Sequence, residues 1–396
     1  MKKNKNFSAN LCLRLIIFLF FCSVPLFSQS APWWFSLEQG KIKFRNRDYG
    51  AALMLFEDAR RDRRAMYEQM ERDFISFLSV SEVRRIGDSL ERVERYSFDR
   101  HYTAASSALE ELFYRIPKSK FNNSANAALL ALGKLKDYPE AEYWIGEVYR
   151  VEGELSLALV QYRRAYEMRD VLENPGFSTE LQYRIASVLG TRQDYNEMER
   201  TYLSIINELD TLWINARSAE SNSSASTRNP VPYAQASASF TVQAMTRTLD
   251  NEGINRFMEL YRYNNTVVER AHRQLGFFYA ATGRPSAQQH LMFAFLIQNT
   301  IIIQEITKRQ YDFVFTNLSA LAEEINKNEA LLSYVDETEY YRTAYYLGAS
   351  LYRNGKTAIA RNFWEYLASQ PQAGQWHSRA SLQLRNPRME PIVEMP

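Results

Sequence analysis

Residues Ile145–Gly153 read IGEVYRVEG, and nearly the same pattern returns twice further along the chain. An aliphatic residue is followed by Gly, by a large apolar residue three positions after that Gly, and by a second Gly seven positions after it. This pattern describes one helix and its end, because the first Gly lets a neighbouring helix approach closely and the second ends the helix in a left-handed conformation. The further copies are Leu275-Gly276 with Tyr279 and Gly283, and Leu347-Gly348 with Leu351 and Gly355.

A second helix is predicted after each copy. Ala158, Tyr162 and Ala165 follow Gly146 at spacings that place them on one helix face, with small, large and small side chains. The third copy keeps this series as Ala360, Trp364 and Leu367. These offsets resemble the tetratricopeptide repeat, a helical hairpin of about 34 residues. The resemblance implies an all-α fold in which antiparallel helix hairpins stack into a right-handed superhelical solenoid.

Weaker copies lack some of the motif residues. One has Gly40 with Ala52, Phe56 and Ala59, but Arg47 stands where the second Gly is expected. Two others keep only the packing residues, namely Val93, Tyr96, Ala105, Leu109 and Leu112 in one and Ala186, Met198, Tyr202 and Ile205 in the other. Two more rest on helical periodicity alone, namely Met245, Phe257 and Tyr261, and Ile302, Val314, Leu318 and Leu321. The apolar segment 287–308 contains no Gly or Pro, and it is either one long helix or two helices separated near Asn299.

The first 30 residues have the features of a secretory signal peptide. Three lysines precede an apolar run at Leu15–Cys22, and Ser28 and Ser30 are small residues before Ala31. Cleavage after Ser30 would give an exported, periplasmic chain. An uncleaved membrane anchor is disfavoured because the run is shorter than the roughly 20 residues that a span needs. A lipoprotein modified at Cys22 is the remaining alternative, although Phe21 stands where such a motif has a small residue.

Charge and cysteine content narrow the possible partners. Cys12 and Cys22 both lie in the predicted signal peptide, so the mature chain would contain no disulfide. Signal removal also takes away four basic residues and leaves 44 basic against 46 acidic residues, a net charge of −2. Nucleic-acid binding requires a clustered basic excess, so no nucleic-acid partner is predicted. No membrane span is predicted in the mature chain either.

The predicted domain organisation has one interruption. Residues 31–214 would form N-terminal hairpins and residues 240–385 C-terminal hairpins. Between them, residues 215–239 are rich in Ser and contain Pro230 and Pro232, a composition that predicts a flexible loop. The loop is either a passive linker or a segment that folds on a partner. The tail 386–396 contains three prolines and is predicted to be disordered.

The sequence contains no recognisable catalytic or cofactor motif. His101, His272, His290 and His377 are far apart and are interpreted as partly exposed helix residues. Neither a glycine-rich phosphate loop nor a nucleophile elbow is present. We therefore predict no cofactor, no metal site and no enzymatic activity.

A partner-binding groove is the remaining functional hypothesis. In the tetratricopeptide family the first helix of each hairpin lines a concave groove, and Tyr, Trp and Arg are the side chains that dominate interface energetics. By offset, the groove candidates are Tyr143, Trp144, Arg150, Tyr183, Arg184, Arg273, Phe277, Tyr345, Tyr346, Tyr352 and Arg353. The predicted function is that of an exported scaffold that binds a protein or peptide in this groove, in cell-envelope assembly or maintenance. The alternative is an envelope accessory protein for binding or transport of a small ligand.

Overall fold

The computed structural model describes residues 32–77, 85–86, 121–122, 125–210 and 242–388. These residues form α-helices and their connections, apart from one antiparallel pair in which β1, Arg85–Ile86, faces β2, Phe121–Asn122. The expectation of an all-α fold is confirmed at this level. The predicted signal peptide, the copy around Val93 and the predicted loop 215–239 lie outside the described residues.

The chain divides into two compact units, Met1–Pro175 and Gly176–Pro396. This boundary precedes the predicted one at residues 215–239, so the hairpin around Ala186 belongs to the second unit. The helices of the first unit are α1 (Trp33–Arg45), α2 (Tyr49–Phe77), α3 (Ala125–Leu135), α4 (Pro139–Val151) and α5 (Leu155–Glu167). Those of the second are α6 (Phe177–Thr191), α7 (Tyr195–Leu209), α8 (Val242–Leu260), α9 (Thr266–Ala281), α10 (Ala287–Arg309), α11 (Leu318–Asn326), α12 (Glu329–Glu337), α13 (Tyr340–Arg353), α14 (Thr357–Ala368) and α15 (Gln375–Arg385).

Several pairs of consecutive helices pack as hairpins, and a glycine lies at the crossing in four of them. A Cβ atom on Gly146 in α4 would lie 2.7 Å from the ring of Tyr162 in α5. A Cβ on Gly276 in α9 would lie 2.6 Å from Cγ of Leu291 in α10. Gly40 faces Phe56 and Gly348 faces α14 in the same way. The prediction that the first Gly of the motif permits close helix approach is confirmed.

The left-handed turn after the first helix is also confirmed. Gly153, Gly283 and Gly355 have φ angles of 86°, 72° and 79°. The corresponding positions of the weaker copies hold Arg47 and Gln193, and these residues adopt φ angles of 63° and 65°. The backbone geometry is therefore repeated even where the glycine is not.

Two weaker predictions have different outcomes. The segment 287–308 belongs to the single helix α10, because Asn299 is buried inside it, donates from Nδ2 to the Phe295 carbonyl and accepts from the Tyr340 hydroxyl. The break near Asn299 is therefore wrong. The copy from Ile302 to Leu321 is also wrong as a hairpin, since Val314 lies between helices and is 75% exposed.

Replacing Gly276 by Ala should destabilise the second unit by about 1–3 kcal/mol, because the new methyl group would also lie 3.2 Å from the Leu291 backbone nitrogen, which cannot turn away. Gly133→Ala in α3 is the matched control, since no atom lies within 4 Å of its Cβ position and Ala favours a helix by up to about 1 kcal/mol. Urea unfolding followed by circular dichroism measures both. Equal effects of the two substitutions would contradict the packing.

Arg47→Gly and Gln193→Gly should each stabilise the protein by about 0.5–1 kcal/mol, because a side chain in the left-handed region carries a steric cost that glycine avoids. Both side chains are exposed, so little packing is lost. Arg45→Gly, in the last turn of α1, is the control and should lower the unfolding midpoint instead. A drop in the midpoint for both left-handed positions would show that their side chains stabilise the turn.

Candidate functional site

The groove candidates of the first unit are only partly accessible. Tyr143 is buried, and Trp144 is half-buried against Phe44 and Phe56, with ring centroids 5.5 and 5.8 Å apart. Arg150 is half-buried and pairs with Glu147 at 2.7 Å. Of these three predicted contacts, Trp144 and Arg150 keep surface that a partner could touch.

In the second unit, the aromatic and basic candidates of α6 and α9 are mostly part of the core. Tyr183 is buried and donates its hydroxyl proton to the Val267 carbonyl. Arg273 is buried between the carboxylates of Glu269 and Glu339. Burial raises the pKa of the Glu269 carboxyl, and the attraction of Arg273 opposes that rise. Arg273 therefore neutralises the buried Glu269 carboxylate and the partly exposed Glu339 carboxylate, and it is not available to an external anion.

Phe277, Tyr345 and Tyr346 are also buried, which corrects the exposure expected of groove residues. The Phe277 ring packs edge-on against Tyr346 at 5.7 Å. Helix α15 covers the two tyrosines, because Trp376 contacts both rings at 5.4 and 5.5 Å and Arg379 lies over them. The motif offsets placed these three side chains in the partner-binding groove, outside the helix-packing positions, and did not show that they are buried.

Three further candidates retain partial exposure. Arg184 is half-buried and pairs with Glu180 at 3.0 Å. Tyr352 packs against Trp364 at 5.4 Å, and Arg353 donates from Nη1 to the Ala280 carbonyl at 3.0 Å. The predicted set therefore divides into buried residues that stabilise the hairpins and the half-exposed Trp144, Arg150, Arg184, Tyr352 and Arg353.

A buried polar cluster in the second unit escaped the sequence analysis. His272 on α9 and His290 on α10 face each other with 3.0 Å between their Nδ1 atoms. The Nε2 atom of His272 lies 2.9 Å from Oδ2 of Asp210, which follows the end of α7. Tyr263 donates its hydroxyl proton to the other oxygen of Asp210 at 2.7 Å. Both histidines and Asp210 are buried, so the interpretation of His272 and His290 as partly exposed residues is wrong.

The proton positions in this cluster follow from its donors and acceptors. The Asp210 carboxylate accepts, so His272 carries its proton on Nε2 and accepts at Nδ1 when the ring is neutral. The contact between the two rings then requires the proton of His290 on Nδ1. The result is a chain of hydrogen bonds from α10 through α9 to the end of α7, and its members His290, His272 and Asp210 are buried. Such an arrangement can tie three helices together, but a substrate cannot reach it.

The sequence carried only a partial signal for this cluster. His272 lies one turn before Gly276, the glycine at the helix crossing. His290 directly precedes Leu291, which is the residue that Gly276 contacts at that crossing. The pairing of the two histidines could have been inferred from that placement. Asp210 could not, because its approach depends on how α7 packs against α9.

The described residues contain no cluster of three or more His, Cys, Asp or Glu side chains arranged to hold a metal ion. Within the same parts of the chain, no helix has both the length and the apolar composition needed to cross a membrane.

Helix α1 carries an exposed apolar face. Leu37 and Gly40 face the core, whereas Trp34, Phe35 and Ile42 point away from it and are 52%, 43% and 41% exposed. Phe35 and Ile42 lie two turns apart on the side opposite the core, and the Trp34 ring contacts Phe35 at 6.2 Å. We refer to these three side chains as the α1 face. Large apolar side chains that share one exposed surface are typical of interaction sites.

Comparisons with known proteins identify relatives but no family. No family model matches the chain. An uncharacterized protein of Treponema pallidum (strain Nichols) is 24% identical over 353 residues, which cover 89% of each chain. An uncharacterized protein of Borreliella burgdorferi is 24% identical over 251 residues, which cover 59% of this chain and 72% of the relative. The similarity to the first extends over nearly the whole of both chains.

His272→Ala should destabilise the protein by about 3–5 kcal/mol, because it removes the ring nitrogen that contacts the buried Asp210 carboxylate and the acceptor of the His290 ring. His377→Ala on α15 is the matched control and should change stability by less than about 1 kcal/mol, since this residue is half-exposed. Thermal and urea unfolding measure both variants. A loss below about 1 kcal/mol for His272→Ala would mean that the cluster does not hold the helices together.

Proposed function

We propose that this protein is an exported scaffold that binds a polypeptide partner, and that the α1 face forms part of its binding surface. The α1 face carries this proposal, because Trp34, Phe35 and Ile42 expose between 41% and 52% of their surface on one helix. A few residues near the centre of an interface supply most of its binding energy, and Trp is among the residue types enriched at those positions.

The residues around the α1 face favour a polypeptide. Glu38 and Lys41 form an ion pair at 2.6 Å, and Lys41 also lies over the ring of Trp144 at 5.8 Å. Arg45 is exposed one turn further along. Apolar anchors bordered by charges of both signs suit a protein surface that offers apolar side chains with polar groups at the rim. Trp144, half-exposed, would extend this surface onto α4.

The other half-exposed groove candidates are included in the proposal. Arg150, Arg184 and Arg353 would contact acidic groups of the partner and Tyr352 would contact an apolar segment. Each arginine already has an intramolecular partner, which orients its guanidinium group. Within each unit, we further propose that the hairpins stack as tetratricopeptide-like repeats in a right-handed superhelix. Glycine-mediated crossings and left-handed turns support that proposal.

Export to the periplasm rests on the sequence of the first 30 residues. Basic residues, an apolar run and small residues before Ala31 follow the order of a secretory signal, and Cys22 offers lipid attachment as the alternative. N-terminal sequencing or intact-mass measurement of the protein from the cell envelope separates the two. A role in cell-envelope assembly or maintenance is proposed on that basis.

Chemical crosslinking in cells followed by affinity purification tests the proposal. A Trp34→Ala and Phe35→Ala double variant should recover roughly tenfold less of a specifically crosslinked protein, because two exposed anchors are removed. Its helical circular-dichroism signal should be unchanged, since neither side chain is buried.

Met54→Ala provides the control, because Met54 on α2 is 67% exposed and is not part of the α1 face. If the double variant and Met54→Ala both recover as much of the crosslinked protein as the unmodified chain, the α1 face is not part of the binding surface. Recovery of no specific protein by the unmodified chain would reject the scaffold function itself.

A further inference from the structure

A polar pocket lies in the second unit, where α8, α11 and α14 meet. Gly253 has a φ of 84° and interrupts α8, so the residues after it turn toward the start of α11. The pocket has a volume of about 730 Å³, within the range of small-molecule sites. Its lining residues are Glu252, Gly253, Ile254, Asn255, Asn317, Leu318, Ser319, Asn362, Glu365, Tyr366 and Ser369.

Amide and hydroxyl groups dominate the polar part of this lining. The side-chain oxygen of Asn255 accepts from the Leu318 backbone at 3.3 Å, and that of Asn317 accepts from the Ala320 backbone at 2.9 Å. These bonds hold both amides in place. Asn362 is exposed on α14 and Ser319 is exposed on α11. Amides and hydroxyls can each donate and accept, so the lining matches a ligand whose groups do both.

The charges of the pocket disfavour an anionic ligand. The two charged lining residues are carboxylates, Glu252 on α8 and Glu365 on α14. Each is paired with an arginine one turn along its own helix, Glu252 with Arg256 at 3.6 Å and Glu365 with Arg361 at 3.0 Å. Arg256 also pairs with Glu259, at 2.8 Å, so it only partly offsets the charge of Glu252. An anion would meet two carboxylates, whereas an uncharged ligand would not be repelled by them.

The buried side of the pocket is apolar. Ile254, Leu318 and Tyr366 are buried lining residues. The Tyr366 hydroxyl donates to that of Tyr340 at 3.5 Å, so the ring has a defined position. Apolar side chains beneath a polar rim suit a ring-shaped ligand that has C–H groups on its face and hydroxyl groups at its edge.

We propose that this pocket binds a neutral saccharide. A short oligosaccharide carries hydroxyl groups for Asn255, Asn317, Asn362 and Ser319, and its C–H groups would contact the small apolar area that Tyr366 and Leu318 leave exposed at the floor of the pocket. The site is separate from the α1 face, which belongs to the first unit, and its occupation does not depend on a polypeptide partner.

Titration of the full-length protein with two neutral trisaccharides, triacetylchitotriose and maltotriose, tests this proposal by calorimetry and saturation-transfer NMR. We expect at least one of them to bind with a Kd on the order of 1 mM, and Asn362→Ala and Ser319→Ala each to weaken binding by about fivefold. Both substitutions are on exposed helix positions, so the helical circular-dichroism signal should persist.

Asn196→Ala on α7 is the matched control, since Asn196 is equally exposed but is outside the pocket lining. It should leave saccharide affinity unchanged. The proposal is overturned if neither neutral trisaccharide shows binding at a concentration about tenfold above the expected Kd. It is also overturned if both pocket variants bind the sugar as tightly as the unmodified protein does. Tighter binding of a cationic chitotriose or of an anionic trigalacturonate than of either neutral sugar would also overturn it.

Discussion

The close approach of two helices at a glycine is the constraint on which each hairpin depends. Gly146 and Gly276 have no side chain beyond a hydrogen atom, so a large residue of the second helix can pack directly against the first helix. That residue is Tyr162 in one hairpin and Leu291 in the other. The large residue can be fully buried only because its counterpart is small. The paired apolar faces then follow, and with them the positions of every side chain on the first helix. Both the buried tyrosines of α13 and the histidine pair between α9 and α10 take their places from crossings of this kind.

Much of this local architecture could be predicted from residue spacing. The crossing residues, the buried faces of the second helices and the left-handed turns follow from local helix geometry, which repeats every few residues. The accessibility of first-helix aromatics does not, because it depends on a later helix. Tyr345 and Tyr346 resemble exposed anchors until α15 brings Trp376 and Arg379 onto them. The α1 face was missed for the opposite reason: Trp34 and Phe35 fall outside the motif offsets, and their exposure depends on which helices leave α1 uncovered.

Buried charge is organised differently from the apolar contacts. In the second unit Asp210, His272 and His290 form one hydrogen-bonded chain, and Glu269, Arg273 and Glu339 form another group around α9. Buried polar groups require specific partners, so these clusters restrict how neighbouring helices can pack, whereas apolar side chains tolerate small shifts. Helix α9 takes part in both clusters. Its orientation is therefore defined by directional contacts on more than one side.

The left-handed residues Arg47 and Gln193 affect how proteins of this type can be recognised. A search profile built on glycines scores residue identity, whereas at these two hairpins the left-handed backbone conformation is kept by other residues. Such hairpins contribute little to a profile score even though their backbones turn in the same way. Distant members of such an architecture are better sought by the sign of a backbone angle and the size of the side chain at each crossing than by residue identity.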